Sequence, residues 1–351
     1  MSWYDTNEHQ SAHILWSKVR FMRNIESIPF FPLCKEQPGK FEKISKKLAD
    51  LMSANGFHEH QLTRGVCAEA LSLAEKQFVD YSFAAAEGER SLYFNEPCSL
   101  TVYSGGDFHL NIQALLSGMA LGEAHKIAAE AEEMLDRELN FAYTDKLGYL
   151  ASDITRCGSG LELSLCLYLP AARQGTKYAD MQREAAAFGA ALSPFLAKYD
   201  NAGDLYLLSY VCPRGVDEKK SISDLSLLVS RLVESEARLE RMLFGSKSTT
   251  ICDRAWRALG ILATAKGIDE DELLLLISRI RLSLALDNAR ADAPPCAFLL
   301  LNTLLCEGLA GSVSSVAGAD CRTTEDCRAY RAIHVKNHIL PLCSQLIAAA
   351  V

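Results

Sequence analysis

A chain of 351 residues is longer than one ordinary core and fits one large domain with a smaller one. With 49% hydrophobic and 23% charged residues it has globular composition, which excludes a disordered chain. A formal net charge of −8 gives it no general electrostatic reason to bind nucleic acid or an anionic membrane, so neither is expected as a partner.

The first 31 residues lack an apolar run leading to a small-residue cleavage site, so no secretory signal is expected. The most apolar window, 273–286, is interrupted by Arg279 and Arg281, which excludes a helix spanning a membrane there. The twelve cysteines are scattered, with no C-x-x-C pair and no His at zinc-ligand spacing. They read mostly as small buried apolar residues, not as a disulfide frame or a metal site. No metal is therefore expected, and a reducing, cytoplasmic location is.

Residues 40–56 and 61–80 read as amphipathic helices. The stretch 91–103 alternates and carries β-formers, giving two strands broken near Glu96-Pro97. Gly105-Gly106 marks a turn, and 107–116 a further strand. Leu121, Ala124, Ile127, Ala128, Ala131, Met134, Leu135 and Leu139 recur at helical spacing. A polar loop through Gly158-Ser159-Gly160 leads to an alternating strand at 161–169, then a helix at 176–197 and a strand at 205–211. Residues 218–243 form a strong helix, 244–250 read as a polar linker, and 251–265, 268–287, 296–309 and 326–349 are all helical patterns. The pattern divides the chain into a mixed α/β part, 1–246, and an all-α part, 247–351.

Four segments, in order, resemble one family. Ile14-Leu15-Trp16-Ser17-Lys18-Val19-Arg20-Phe21-Met22-Arg23-Asn24 resembles the S-x-R-x-R-x-x-R-N segment of ATP:guanidino phosphotransferases. Phe108-His109-Leu110-Asn111-Ile112-Gln113 is similar to their D-H-L-R-I-Q strand. The run LNFAYTDKLGYLASDITRCGSGLELS, 139–164, resembles the stretch from the long helix to the G-T-G-L-R-A-S strand. Gly203-Asp204-Leu205-Tyr206 and the strand and helix after it resemble the fourth. Together with Ala255-Trp256-Arg257-Ala258-Leu259-Gly260 near the C-terminal side, the order is most like the bacterial protein arginine kinases. The resemblance implies an α+β fold: a guanidino-kinase catalytic domain, an antiparallel sheet flanked by helices, followed by an all-α C-terminal domain.

Phosphoryl transfer to a guanidinium needs cations on the ATP phosphates and carboxylates on the guanidinium. By the resemblance, Lys18, Arg20, Arg23 and Ser159 are the nucleotide-binding candidates, and Asp107 and Asp153 the catalytic ones. Much of the family's set is replaced. Lys18 stands for an Arg and lacks its bidentate fork. Asn111 and Glu162 stand where Arg is expected, and 192–197 holds neither the Arg nor the Glu of the family's loop. A unit charge about 4 Å from a phosphate is worth roughly 4 kcal/mol at an effective dielectric near 20, so a carboxylate at 162 opposes ATP in the usual pose. Asp153 takes the place of the reactive cysteine, and of the carboxylates in the N-E-E-D-H signature, read here as 104–109 with one extra residue, only Asp107 could serve.

Each remnant has a plainer reading. Arg20 and Arg23 either hold a phosphate or pair with nearby acids on a strand face; His109 reads as a core histidine; Gly158-Ser159-Gly160 is a phosphate cradle or an ordinary turn. In the helical part, Cys327-Arg328-Ala329-Tyr330-Arg331-Ala332 aligns with the R-D-x-x-R-A motif that binds phosphoarginine in protein arginine kinases. This makes Arg328 and Arg331, at i and i+3, either phosphoarginine-binding residues or a charged helix face. The leading expectation is a pseudokinase: a binding, regulatory or scaffold protein in protein quality control. Its partners would be proteins, an activator or a protease or chaperone system, and a second copy through the helical domain. The alternatives are an active ATP-dependent protein arginine kinase with a rewired site, using Mg-ATP, and a phosphoarginine-binding protein.

Overall fold

The computed structural model describes residues 3–5, 11–31, 33, 38–62, 67–87, 90–96, 98–105, 107–174, 177–195, 203–289, 297–317 and 323–350. The elements run β1 (Ile14–Arg23), α1 (Pro38–Ala54), β2 (His58–Leu62), α2 (Ala68–Glu75), α3 (Tyr81–Ala85), β3 (Arg90–Phe94), β4 (Leu100–Gly105), β5 (Phe108–Ser117) and α4 (Leu121–Leu139). They continue with a small hairpin, β6 (Tyr143–Thr144) and β7 (Gly148–Tyr149), then β8 (Leu161–Tyr168), α5 (Pro170–Gln174), α6 (Tyr178–Phe188), β9 (Ala191–Pro194) and β10 (Leu205–Val211). Helices follow: α7 (Glu218–Thr264), α8 (Glu270–Ala289), α9 (Ala297–Glu307), α10 (Ala310–Ala317) and α11 (Thr324–Ala350).

Eight strands form one sheet in the order β2-β3-β4-β5-β1-β8-β10-β9, with every neighbouring pair antiparallel. Strand β1 lies at its centre and all ten of its residues are buried, so it is no solvated face. Successive side chains on a strand point to opposite faces. On one face Val19 and Phe21 join Leu161, Leu163 and Leu165 of β8. Helix α4 lays its stripe of Leu121, Ala124, Ala128, Leu135 and Leu139 across them, and the small alanines let the helix approach closely. The other face is covered too. At the Trp16 end, Trp16, Cys166 and Tyr168 pack with Leu273, Leu274 and Ile277 of α8 and Leu301 and Leu304 of α9. At the other end, Ala70 and Ala74 of α2 and Phe83 of α3 pack on Leu92 and Tyr103.

The fold class is the one the resemblance implies: an antiparallel sheet flanked by helices, with a helical C-terminal region. Several elements differ. The helix expected over 61–80 is replaced by edge strand β2, drawn into the sheet by β3, and by the shorter α2, whose N-cap is Cys67. The helix expected over 176–197 stops at Gly189, whose φ of 92° suits a glycine C-cap, and the chain turns back as β9. Residues 244–250, expected as a linker, are helical within α7, which kinks at Lys247 (φ −136°, ψ 17°). Helix α10 has no counterpart in the sequence reading. Gly106, Pro97 and residues 196–202 lie outside the described residues.

Among the described residues, Cys67, Cys98, Cys157, Cys166, Cys212, Cys252 and Cys306 are free. Cys327 is disulfide-bonded, which the sequence reading did not foresee. Among the described residues no helix is long and apolar enough to cross a membrane, and no group of His, Cys, Asp or Glu is arranged to hold a metal ion.

Candidate functional site

The alternation of β1 separates the candidate cations. Lys18 and Arg20 point to the face covered by α2 and α3; Arg23, at odd spacing, points to the α4 face. Register places Arg20 between Gln113 of β5 and Glu162 of β8.

Arg20 is buried and fully engaged at its terminal nitrogens. Nη2 donates to Glu162 Oε2 at 2.5 Å; Nη1 pairs with Asp80 and lies 3.3 Å from the Tyr103 hydroxyl. Burial opposes its charge, but Tyr103, Glu162 and Asp80 hold the guanidinium protonated well above its ordinary range. Asp80 shows the reciprocal effect. Burial alone would raise its pKa, yet Arg20, and then Lys18, hold its carboxyl below the usual range. Lys18 is buried with Nζ 3.4 Å from Gln77 Oε1 and 5.4 Å from the Trp16 ring centre. Burial pushes its pKa down, Asp80 opposes that, Arg20 adds to it and Glu162 opposes it again. The cluster thus holds two cations, Lys18 and Arg20, and two carboxylates, Asp80 and Glu162. It balances its own charge.

Gln77 and Asp80 come from the turn between α2 and α3. That turn is pinned to the sheet by Gln113 Nε2, which donates to the Gln77 carbonyl at 2.6 Å, and by the Trp3 indole, which donates to the Lys76 carbonyl at 2.9 Å.

Arg23 is 1% exposed. Its Nε donates to Glu132 on α4 at 2.9 Å, its Nη1 to the carbonyls of Met22 and Ser159 at 2.9 Å, and its guanidinium carbon lies 3.5 Å from the Tyr149 ring centre. Ser159 therefore meets Arg23 through its carbonyl, while its hydroxyl accepts from the Leu161 amide at 3.3 Å.

The two aspartates lie around one short 3-10 turn, Ile154–Arg156. Asp153 caps it, accepting from the Thr155 amide at 2.8 Å, a bond that holds its exposed carboxyl below the usual range. Asp107 pairs with Arg156 at 3.1 Å, and Arg156 stacks 4.6 Å from the Phe108 ring centre. Arg156 Nη2 also lies 3.5 Å from Met22 Sδ, so this turn sits one step beyond Arg20 on the same face. Among the described residues no contact joins Asp107 or Asp153 to Lys18 or Arg20. His109 is a core residue: its Nδ1 accepts from the Ile25 amide at 2.9 Å, its Nε2 faces the Pro29 carbonyl at 3.1 Å, and burial lowers its pKa.

In the helical region, Arg331 is buried and donates to the carbonyls of Gly308 at 2.6 Å and Ile268 at 2.8 Å, with Glu270 3.4 Å away. Arg328 pairs with Asp269 at 2.8 Å and Glu325 at 3.2 Å. The pair braces α11 against the start of α8.

Four groups that matter here escaped the sequence reading: Gln77, Asp80, Tyr103 and Glu132. Each meets its cation across 59 to 109 residues of chain, a distance at which no local pattern signals contact.

The segments that resemble the guanidino kinases thus lie on the central strand, as S-K-V-R, and on the G-S-G turn that faces it. The chain belongs to the ATP:guanido phosphotransferase family, whose C-terminal catalytic domain it matches over residues 40–239. Its relatives include proteins named protein-arginine kinase. That of Halothermothrix orenii is 27% identical over 275 residues, 77% of this chain and 78% of that protein. Those of Symbiobacterium thermophilum (26% over 310 residues, 86% of each chain) and Syntrophomonas wolfei (28% over 319 residues, 89% of this chain and 87% of that one) match over more of the length. Solved structures share the fold. The duplicated taurocyamine kinase from Schistosoma mansoni with bound transition state analog components superposes with TM-score 0.58 at 16% identity, over 75% of this chain and 41% of that one. Lombricine kinase superposes with TM-score 0.55 at 14% identity, over 67% and 70%. The chain spans less than half of the duplicated enzyme.

Proposed function

We propose that this protein is a pseudokinase of the protein-arginine-kinase type, a regulatory or scaffold protein of protein quality control that acts by binding and not by phosphoryl transfer. One observation carries the reading: both terminal nitrogens of Arg20 are held by carboxylates of the chain itself, Glu162 and Asp80. A nucleotide phosphate would have to displace them, and it would meet a Glu on the neighbouring strand at the same level. With Lys18 buried under Gln77 and Arg23 turned to the opposite face, the donor set does not fit a triphosphate. The output would then be protein contacts, with an activator, a protease or chaperone system, or a second copy through the helical region.

Calorimetry with millimolar ATP, with and without Mg²⁺, tests this. No binding heat is expected in either condition. Clear Mg²⁺-dependent binding sinks the proposal.

A second reading, an active protein arginine kinase with Mg-ATP as cofactor, is favoured by the relatives, which carry that name over 77 to 89% of this chain. It requires Arg20 to exchange its carboxylates, and Lys18 its Gln77 contact, for phosphates, and Asp107 or Asp153 to reach the guanidinium. Phosphate transferred from ATP to arginine of a protein substrate, lost in Arg20→Ala, is its signature. A phosphoarginine reader is the weaker alternative, because Arg331 spends its donors on two backbone carbonyls.

A further inference from the structure

Helix α7 carries two buried carboxylates, Glu236 and Glu240, away from the Arg20 cluster. Glu236 is 0% exposed, and its two oxygens accept from the backbone amides of Ala171 and Ala172, in the first turn of α5, at 2.5 and 2.9 Å. Glu240, one helical turn on, is 5% exposed. Its Oε2 lies 3.4 Å from Nε2 of His13, just before β1. Its Oε1, and Nδ1 of His13, are buried without a partner. The other charged groups of the neighbourhood are committed elsewhere. Arg173 of α5 pairs with Asp204 at 3.1 Å, and Asp204 also accepts from Ser278 of α8 at 2.6 Å. Arg281 of α8 donates to the carbonyls of Ser11 and Ala12 and to Asn302, and stacks on Tyr168. The Tyr168 hydroxyl donates to the Ser278 carbonyl at 2.7 Å.

We infer that Glu236, Glu240 and His13 form a proton-operated latch joining the start of β1, α5 and α7, closed while the carboxyls hold protons and released when both lose them. Two ionised carboxylates one turn apart, out of water and without a bonded cation, repel each other and lack solvation. The proton between Glu240 and His13 removes one of those charges whichever atom carries it. His13 supplies no second proton near neutrality: burial, and then Arg281, lowers its pKa to about 4. Burial raises Glu236 to about 7 against the pull of the two amides, with Asp204 adding to the rise. Burial, and then Glu236, raises Glu240 to about 8. A carboxyl with a folded pKa above its unfolded value loses stability as pH rises from the unfolded value to the folded one. The latch therefore weakens up to about pH 8 and stands released above it. Release frees residues 11–13, of which Ser11 and Ala12 present carbonyls that accept from Arg281, and so loosens the seam between the sheet and α8.

The test uses the full chain. Amide exchange over residues 11–15 and 170–174, corrected for its intrinsic pH dependence, is compared at about pH 6 and pH 9 in the wild type and in Glu240→Gln. Protection is expected to fall about tenfold or more in the wild type, one unit of proton linkage, and by less than half as much on a logarithmic scale in the variant. Equal protection of the wild type at both values, or an equal fall in the variant, overturns the latch. Should the variant fail to fold, infrared titration of the wild-type carboxyl bands decides. Two carboxyls titrating between about 6.5 and 8.5 support it, and none titrating above about 5.5 overturns it.

Discussion

Arg20→Ala should lower the stability of the protein by about 3–5 kcal/mol, because removing one partner of a buried ion pair leaves the others charged and unpaired. Here one guanidinium serves two carboxylates, so both Asp80 and Glu162 would lose their main counter-charge. Lys18 remains nearby, but its Nζ bonds Gln77. The loss should be recovered largely in the quadruple variant Lys18→Met, Arg20→Met, Asp80→Asn, Glu162→Gln, since replacing all members of a buried charge cluster with neutral groups of similar size is often neutral or better. Urea unfolding of the single and quadruple variants measures both. The sign with pH follows from Asp80, whose pKa is lowered by Arg20 and Lys18: its contribution is present above the ordinary carboxylate range and fades as pH falls through that range and below. In Arg20→Ala that acid-side loss should shrink. An Arg20→Ala protein as stable as the wild type would mean that the carboxylates reach water and that the site around Arg20 is open.

Gly160→Ala is expected to cost about 3 kcal/mol or more. Gly160 has φ +58°, where an L side chain is disfavoured by about 1–2 kcal/mol. A Cβ there would lie 2.7 Å from the Met22 carbonyl oxygen and 2.6 Å from Arg23 Nη1. The backbone cannot retreat, since the Met22 amide donates to the Gly160 carbonyl at 2.9 Å and holds β1 against the turn. The methyl would therefore push Arg23 off the carbonyls of Met22 and Ser159 and away from the Tyr149 ring, which is buried hydrogen bonding lost without replacement. Thermal unfolding against the wild type, with Gly189→Ala as a comparison at an open glycine where nothing lies within 4 Å of the added carbon, separates the steric part from the backbone part. Equal shifts in the two variants would show that crowding by Arg23 plays no part.

Much of the architecture could be read from local pattern. The α4 stripe, β5, β8 and β10 repeat with helical or strand period, and each falls where expected to within a few residues. The failures share a cause. Strand β2 is polar at three of its exposed positions and exists because β3 offers it a ladder, and β9 exists because β10 does. Neither carries a period of its own.

The site divides in the same way. The replacement of an expected Arg by Glu162 was visible in the sequence; that Glu162 pairs with Arg20 is a fact of register between strands 142 residues apart. Asp80 carried no signal at all, because a turn aspartate is ordinary until the turn is folded onto β1. Arg331 looked like half of a phosphate-binding pair, and only burial against two carbonyls reveals it as a brace.

The position of β1 bears on how the chain comes off the ribosome. This strand, buried on both sides, finds its first neighbour near residue 113 and its second near residue 162. At about 5–20 residues per second, the span of 142 residues to Glu162 takes roughly 7–30 s to synthesise. For that time a ten-residue strand with six apolar residues waits with at least one edge open, an arrangement prone to pair with the wrong chain. Nascent chains of this protein should therefore depend on a holding chaperone until β8 has emerged, and should gain little from slower translation before that point.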